Sequence, residues 1–132
     1  MAKKIICDTD VMIDYWDLTN PRHAQTKSIL EEIITLNNVV LSAITKMELM
    51  LGATNKRELK KIGEKLHRFD IALINNEITS KAFILLSNHH LSHGLAIPDC
   101  FIASTAIITE MELFTYNIRD FKFINELMLF KH

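Results

Sequence analysis

The sequence predicts an α/β fold with a mostly parallel sheet of four to five strands. Short apolar runs alternate along the chain with longer segments in which apolar residues recur at helical spacing. This alternation is typical of parallel sheets, because each parallel pair of strands needs a crossover connection, which is usually a helix. The chain has 132 residues, of which 48% are hydrophobic, with only 3 glycines and 2 prolines. We therefore expect a single compact domain over residues 1–132.

Five short apolar runs account for the predicted strands. Residues 5–7 (Ile-Ile-Cys) form a continuous apolar run, as expected of a strand that is buried on both faces. Residues 39–41 have the same character and follow Asn37 and Asn38, which indicate a turn. The predicted strands cover, in order, residues 3–8, 39–41, 71–74, 111–115 and the short segment 127–130.

Helical spacing, together with residues that start or stop helices, predicts the intervening segments. Ile29 and Ile33 belong to an apolar stripe of the longest helix in the first half of the chain. Asp10 is expected to cap the first helix, and Gly94 to end the helix that starts at residue 76. The predicted helices cover residues 10–16, 22–36, 45–52, 76–93 and 98–110, and an amphipathic stripe runs through residues 59–69.

Composition argues against several classes of protein. No apolar stretch approaches the roughly 18 residues that are needed to span a bilayer. The amino terminus runs straight into the first strand without an apolar signal region. Cys7 and Cys100 fit neither a disulfide framework nor a paired-thiol metal motif. We therefore expect a soluble, cytoplasmic protein that does not associate with membranes.

A basic segment stands out against the small net charge of −1. Residues 56–68 hold six Lys and Arg residues against two Glu residues, a local charge of +4 that leaves −5 for the rest of the chain. A basic surface of this kind suits an anionic polymer such as RNA, although an ordinary solvated helix face explains it equally well. The candidate phosphate-binding residues are Lys56, Arg57, Lys60 and Lys61, with Arg119 elsewhere in the chain.

Four acidic residues stand where a predicted strand, or the turn after it, gives way to a helix: Asp8, Glu48, Asp99 and Asp120. Because the carboxyl ends of parallel strands meet at one edge of a sheet, folding can bring these side chains together. Two carboxylates about 4 Å apart repel each other by roughly 4 kcal/mol at an effective dielectric constant of about 20, so such a cluster calls for a cation. Carboxylate ligands select Mg²⁺ or Mn²⁺ rather than zinc.

Each acid also has a purely structural explanation. Asp8 could orient the turn after the first strand, and Asp120 could stabilise a later turn. Thr45 and Glu48 match a capping box, in which Glu48 would bond back to the backbone of the cap residue. Asp99, in the first turn of a predicted helix, could simply stabilise the positive end of the helix dipole.

Four segments, in the same order and spacing, resemble the sequence motifs of the PIN-domain ribonucleases. They are residues 5–14 (IICDTDVMID), 41–49 (LSAITKMEL), 98–103 (PDCFIA) and 113–121 (LFTYNIRDF). The resemblance extends over essentially the whole chain and implies a three-layer α/β/α domain. At this size the chain is similar to the VapC toxins of bacterial and archaeal toxin–antitoxin pairs.

The resemblance implies a role for each of the four acids. Asp8, Glu48 and Asp99 would be the core metal ligands and catalytic residues, with Asp120 as a fourth acid that is often held through water. Three residues would support the pocket: Thr45, Thr115 and Asn117. Asp10 departs from the pattern, because the family more often has Asn there, and it adds a further negative charge.

The resemblance also implies an activity and partners. The expected activity is that of an endoribonuclease that depends on Mg²⁺ or Mn²⁺. It would cleave structured RNA, such as tRNA or rRNA, by metal-activated water, leaving a 5′-phosphate and a 3′-hydroxyl. The expected partners are a VapB-like antitoxin and a second copy of the chain in a homodimer.

Other functions are compatible with parts of the pattern. A phosphotransfer receiver domain would need an acceptor Asp after the third strand, where this chain has Asn75 and Asn76. Asp8 and Asp10 after an apolar strand suggest a haloacid-dehalogenase-like phosphatase, but the later Lys and paired-acid motifs of that family are missing. A PIN nuclease of RNA processing would share both fold and acids. A PIN-like protein that only binds RNA or a partner is less compatible with four retained acids.

Overall fold

Four short strands form a parallel sheet in the computed structural model, which describes residues 3–132. The strands are β1 (Ile5–Cys7), β2 (Val39–Ser42), β3 (Asp70–Ala72) and β4 (Glu112–Phe114). The helices are α1 (Thr9–Trp16), α2 (His23–Ser28), α3 (Ala43–Met50), α4 (Lys56–Leu66), α5 (Asn76–His93) and α6 (Ile97–Thr109). All strand pairs are parallel, in the order β3-β2-β1-β4, so the predicted α/β fold is confirmed.

Successive residues of the strands point to opposite faces of the sheet and build two hydrophobic cores. On the side of α1, Ile29–Ile34 and α4, the strands contribute Ile5, Cys7, Val39, Leu41 and Phe114. On the side of α5 and α6, they contribute Ile6, Val40 and Leu113. Each fully buried aliphatic side chain contributes roughly 1.5–3 kcal/mol to the stability of the fold. The sheet therefore lies between two layers of helices, which confirms the three-layer arrangement.

The strand order creates a crevice at the carboxyl edge of the sheet. From β1 the chain crosses to β2 and then β3 on one side, and it returns through α5 and α6 to β4 on the other side of β1. Connections that leave neighbouring strands in opposite directions open a crevice between them, which is where α/β proteins bind ligands. Asp8 directly follows β1 and Thr115 directly follows β4, so both border this crevice.

Two of the predicted strands are placed differently in the structure. β3 spans Asp70–Ala72 rather than residues 71–74, because it pairs only along β2, and Leu73 beyond it is 72% exposed. The segment predicted as a last strand makes a single parallel bridge between Leu113 and Leu129. The sheet thus has four strands, the lower end of the predicted range of four to five.

The helix predicted over residues 22–36 is not a continuous α-helix. α2 ends at Ser28, and Ile29–Ile34 continues in the wider turns of a π-helix. A π-helix bonds residues five apart, so Ile29 and Ile34 both face the core at 6% exposure, whereas Ile33 is 67% exposed. The predicted apolar stripe through Ile33 is therefore wrong, because it assumed regular α-helical turns.

The helix ends show which predicted caps are correct. Asp8, not Asp10, is the N-cap of α1, because the backbone N–H of Thr9 donates to its side chain and Asp10 already lies in the first turn. Gly94 adopts a left-handed conformation with φ of 68° and ends α5 as predicted. Within residues 3–132, no helix combines the length and apolar character that crossing a membrane would require.

Candidate active site

Asp8 is fixed between the ends of two neighbouring strands. The backbone N–H of Thr9 donates to Asp8 Oδ1 at 2.8 Å, and the hydroxyl of Thr115 donates to Asp8 Oδ2 at 2.8 Å. The residue is 5% exposed. Burial, and then repulsion by Asp10 and Asp99, raises the pKa of Asp8 to about 7. Asp8 does shape the turn after β1, but its raised pKa is that of a buried carboxyl group that also has acidic neighbours.

Asp10 faces the same edge and is incompletely satisfied. The backbone N–H of Tyr116 donates to Asp10 Oδ2 at 3.0 Å. The second oxygen, Oδ1, is buried and has no hydrogen-bond partner within the described residues. A buried polar atom without a partner costs about 1–3 kcal/mol, and burial raises the pKa of Asp10. This additional acid therefore contributes an oxygen that a proton or a cation would satisfy.

Glu48 is tied to the beginning of α1 rather than to the cap of its own helix. Its Oε1 accepts a hydrogen bond from the hydroxyl of Thr9 at 2.6 Å. The N-cap of α3 is Ser42, whose Oγ accepts from the backbone N–H of Thr45 at 3.0 Å. The capping-box explanation of Glu48 is therefore wrong. Thr45 is buried, and its Oγ1 lies 3.1 Å from the Thr9 hydroxyl, so it supports this contact.

Asp99 lies in the first turn of α6 and is half-buried. Burial, and then the charges of Asp120, Glu48 and Asp10, raise the pKa of Asp99 to about 6. A helix N-terminus alone would lower the pKa, because the helix dipole favours the charged form. Burial and the neighbouring acids therefore outweigh the helix dipole at Asp99, and the purely structural explanation does not account for its pKa.

The segment after β4 supplies the remaining predicted residues. Asp120 is the exposed last residue of a 3₁₀ turn, Ile118–Asp120, and lies near enough to Asp99 to raise its pKa. Asn117 is exposed, and its backbone N–H donates to the hydroxyl of Thr115 at 3.0 Å. Arg119 is also exposed.

The acids influence one another electrostatically, but they do not form a closed cage. Among residues 3–132, no three Asp, Glu, His or Cys side chains stand in an arrangement that could hold a metal ion. The chemistry of the donors nevertheless fits a hard divalent cation, because all of them are carboxylate oxygens. The buried, unpartnered Oδ1 of Asp10 fits the same conclusion. A cation at this edge would reduce the repulsion between the carboxylates and give the Oδ1 of Asp10 a partner.

Residues 56–66 of the basic segment form α4, which lies next to the acid-bearing helix α3 but outside the acidic cluster. α4 packs against α3, which carries Glu48. Two cations of the basic segment have partners, since Lys65 lies over the ring of Trp16 and Arg68 donates to Asn37 Oδ1. The others are exposed and form no ion pair within residues 3–132: Lys56, Arg57, Lys60 and Lys61.

Sequence reasoning missed two residues that organise this edge. Thr9 carried a signal, because a hydroxyl residue directly after Asp8 is well placed to bond to a neighbouring acid. Arg22, which lies over the ring of Tyr116, carried none, because nothing in its local sequence points to a residue near the other end of the chain.

These features define the class of the protein: a small parallel α/β domain whose carboxyl edge gathers acids from β1, α1, α3, α6 and the segment after β4. Comparisons with known proteins agree with this class. The model of the PIN domain family matches residues 5–126. The chain belongs to the PIN-domain family, and its predicted similarity to VapC is confirmed.

Individual relatives show the extent of the similarity. The chain is 30% identical over 125 residues to ribonuclease VapC1 from Methanocaldococcus jannaschii, covering 93% of this chain and 82% of the relative. A toxin–antitoxin complex from Klebsiella pneumoniae contains a chain with 28% identity and a TM-score of 0.75, covering 95% of this chain and 96% of that one. VapBC2 from Rickettsia felis, bound to a DNA fragment from its promoter, shares the fold at 24% identity and a TM-score of 0.74, over 96% of both chains.

Proposed function

We propose that this PIN-domain protein is an endoribonuclease dependent on Mg²⁺ or Mn²⁺, and the toxin of a toxin–antitoxin pair that acts in the cytoplasm. The proposal is carried by the mutual influence of the acids at the carboxyl edge of the sheet, since Asp99 raises the pKa of Asp8, and Asp120 and Glu48 raise the pKa of Asp99. The similarity to a ribonuclease and to a toxin–antitoxin complex supports it.

The four acids share two roles in the proposed reaction: they hold the ion and they orient water. Asp8, Glu48 and Asp99 would hold the ion, with Asp120 completing the site directly or through water. When bound, such an ion lowers the pKa of water and offsets the charge that builds up on phosphorus. The oxygen of water bonds to phosphorus as the bond to the 3′-oxygen breaks, leaving a 5′-phosphate and a 3′-hydroxyl. Asp99 and Asp120 are the candidates to orient this water.

Assembly of the site requires the carboxylates to move inward, since they do not surround a common point as they stand. Thr115 already fixes Asp8, so Asp8 is the natural anchor. Glu48 would have to offer its Oε2 to the ion while its Oε1 keeps the bond from the hydroxyl of Thr9.

The proposed substrate is structured RNA, of the tRNA or rRNA class. Phosphates would be bound by exposed cations that have no acidic partner within residues 3–132: Lys56, Arg57, Lys60, Lys61 and, beside Asp120, Arg119. Such contacts position the strand but carry no sequence information. Mapping of cleavage sites on cellular RNA after induction of the protein would identify the target.

Cleavage of total RNA by the purified, partner-free protein tests the proposal. Wild-type protein should cleave RNA in the presence of Mg²⁺ or Mn²⁺ and stop when EDTA is added. The variant Asp99→Asn should be inactive, because it removes a proposed ligand. Asp70→Asn is the matched control, because Asp70 lies at the start of β3, at the opposite edge of the sheet, and pairs there with Lys4. It should cleave like the wild type. Equal cleavage by wild type and Asp99→Asn, insensitive to EDTA, would refute the proposal.

A small antitoxin is the proposed partner, and the surface offers it a groove. The groove lies between α3 and α4, has a volume of about 490 Å³, and has an apolar floor that includes Met50, Leu59 and Phe69. The product of a neighbouring gene should copurify with the protein and suppress cleavage. Absence of a complex, together with failure to rescue growth, would count against a toxin.

A growth assay distinguishes a toxin from a PIN nuclease that acts in RNA processing. Induction of the wild-type protein alone should arrest growth, and induction of Asp99→Asn should not. A processing nuclease would leave growth unaffected in both cases. The proposed homodimer is checked by the molar mass of the purified protein in light scattering.

A further inference from the structure

A network of polar contacts lies behind the acidic edge and has no role in the function proposed so far. At its base is Asp14 on α1, which is 3% exposed. Its Oδ1 accepts from Nδ2 of Asn20 at 2.8 Å, and its Oδ2 accepts from Nε of Arg22 at 2.7 Å. Hydrogen bonds between ionised partners are short and strong, so the guanidinium of Arg22 is held in one orientation.

Arg22 in turn holds an aromatic ring. Its Cζ lies 4.3 Å from the centroid of the Tyr116 ring, which places the cation over the face of that ring. The hydroxyl of Tyr116 forms a hydrogen bond with the hydroxyl of Thr26 at 2.6 Å, and Phe114 contacts the ring edge-on at 5.2 Å. The ring is therefore fixed on its face, at its tip and along one edge.

The backbone that carries this ring contacts two of the acids. The N–H of Tyr116 donates to Asp10 Oδ2 at 3.0 Å, and the hydroxyl of the preceding Thr115 donates to Asp8 Oδ2 at 2.8 Å. Both bonds depend on where residues 115–116 lie. Because β4 ends at Phe114, residues 115–116 lie outside the strand pairing, and the contacts of the Tyr116 ring are among those that hold them.

We propose that Arg22 is a positioning residue of the acidic site: anchored by Asp14, it clamps Tyr116 so that residues 115–116 orient Asp8 and Asp10. The inference rests on the proposed function only for its effect on cleavage. Arg22 makes no hydrogen bond or ion pair with Asp8, Glu48 or Asp99 within residues 3–132, so its influence runs through Tyr116. Its charge is compensated by Asp14, which distinguishes it from the unpaired cations of α4.

Three variants isolate this role. Arg22→Met removes the cation, Arg22→Lys keeps a cation that can still lie over the ring, and Lys27→Met removes an exposed cation from the adjoining helix α2 as a control. The double variant Asp14→Asn/Arg22→Met tests the same clamp without leaving a buried charge unpaired, in case Arg22→Met alone does not fold.

Mn²⁺ binding, followed by the electron paramagnetic resonance of free Mn²⁺, is the first readout. Residues that orient metal ligands typically change affinity or activity by about 10–100-fold, and we expect a loss of that size for Arg22→Met. Arg22→Lys should recover part of it, and Lys27→Met should match the wild type. In RNA cleavage, kcat should fall while KM stays nearly constant.

The amide resonance of Tyr116 is the second readout and needs neither metal nor RNA. In NMR spectra its hydrogen bond to Asp10 should give slow hydrogen exchange in the wild type and Lys27→Met, and fast exchange in Arg22→Met and the double variant.

Unchanged exchange together with unchanged Mn²⁺ affinity would overturn the inference. A rise in KM alone would overturn it too, because Arg22 would then bind phosphate directly. If the wild type neither binds Mn²⁺ nor cleaves RNA, the proposed function fails, whereas the exchange of Tyr116 still decides whether the clamp exists.

Discussion

Replacing Asp99 by Asn should stabilise the metal-free protein at neutral and alkaline pH, although it should abolish cleavage. In the folded protein, burial and the charges of Asp120, Glu48 and Asp10 raise the pKa of Asp99 from 3.8 to about 6. A raised pKa means that the folded state binds the proton more tightly than the unfolded state does. Ionised Asp99 therefore opposes folding, and the neutral amide of Asn removes that opposition.

The sign and size of the effect follow from this shift in pKa. Below about pH 4 the carboxyl is protonated in both states, so the substitution changes little. As the pH rises toward 6, the unfolded state loses its proton first and stability falls, and above about pH 6 the full penalty is present. A shift of about 2 units corresponds to at most about 3 kcal/mol. Because Asp99 is only half-buried, solvent screening reduces this to about 1 kcal/mol, or about 3–5 °C in Tm for a domain of this size.

Urea unfolding in EDTA, at about pH 8 and about pH 4, measures the difference between Asp99→Asn and the wild type. We expect the variant to be more stable by about 1 kcal/mol at the higher pH and equal at the lower pH. Mn²⁺ should reverse the order at the higher pH, because a ligand at 100 times its Kd stabilises only the protein that binds it, by about 2.7 kcal/mol. The exposed Asp70→Asn should show no such reversal.

The same experiment separates the acidic cluster from the helix-dipole explanation of Asp99. A carboxylate that only stabilises the first turn of α6 contributes favourably when charged. Asp99→Asn would then be less stable than the wild type at about pH 8 in EDTA, by about 0.3–1 kcal/mol. That result would refute the reasoning that burial and the neighbouring acids outweigh the helix dipole at Asp99.

Three further variants test other parts of the molecule. Thr115→Val removes the hydroxyl that orients Asp8, and kcat should fall by about 10–100-fold; an unchanged kcat would mean that Asp8 needs no such support. The double variant Lys60→Gln/Lys61→Gln should bind RNA more weakly. The slope of log affinity against log salt concentration should decrease in magnitude by about 1 for each phosphate that is no longer neutralised. An unchanged slope would mean that these two lysines are ordinary solvated side chains. Ile6→Ala, at a fully buried position of the central strand, should lower the free energy of unfolding by about 2–5 kcal/mol, and a loss well below that in urea unfolding would contradict the two-sided burial of β1.

The strands could be predicted largely because their signals are local. β1 and β2 are continuous apolar runs, and all their residues are buried in the structure. The helix after Pro21 could not be predicted in detail, because its wider turns keep both Ile29 and Ile34 on the core. That preference comes from tertiary packing, which local helical spacing does not contain.

The candidate site likewise has parts that the sequence predicts and parts that it does not. The position of Asp8 at a strand end follows from sequence and topology, so its place at the carboxyl edge could be predicted. Near Glu48 the sequence offers two possible N-caps for α3, Ser42 and Thr45. In the structure β2 ends at Ser42 and this residue caps α3, and the sequence alone did not indicate where β2 ends. The hydroxyl of Thr9 next to Asp8 indicates a bond to some neighbouring acid, but its actual partner, Glu48, lies on a different element and could not be predicted from the local sequence.

The proposed function requires that these acids, which do not enclose an ion as they stand, close around a divalent cation. Crystals of the wild-type protein soaked in Mn²⁺ and recorded at the manganese absorption edge test this closure most directly. We expect an anomalous peak at the carboxyl edge, bonded to oxygens of Asp8, Glu48 and Asp99, and no peak there in Asp99→Asn. A wild-type crystal that binds Mn²⁺ only elsewhere, or not at all, would contradict the proposed metal site.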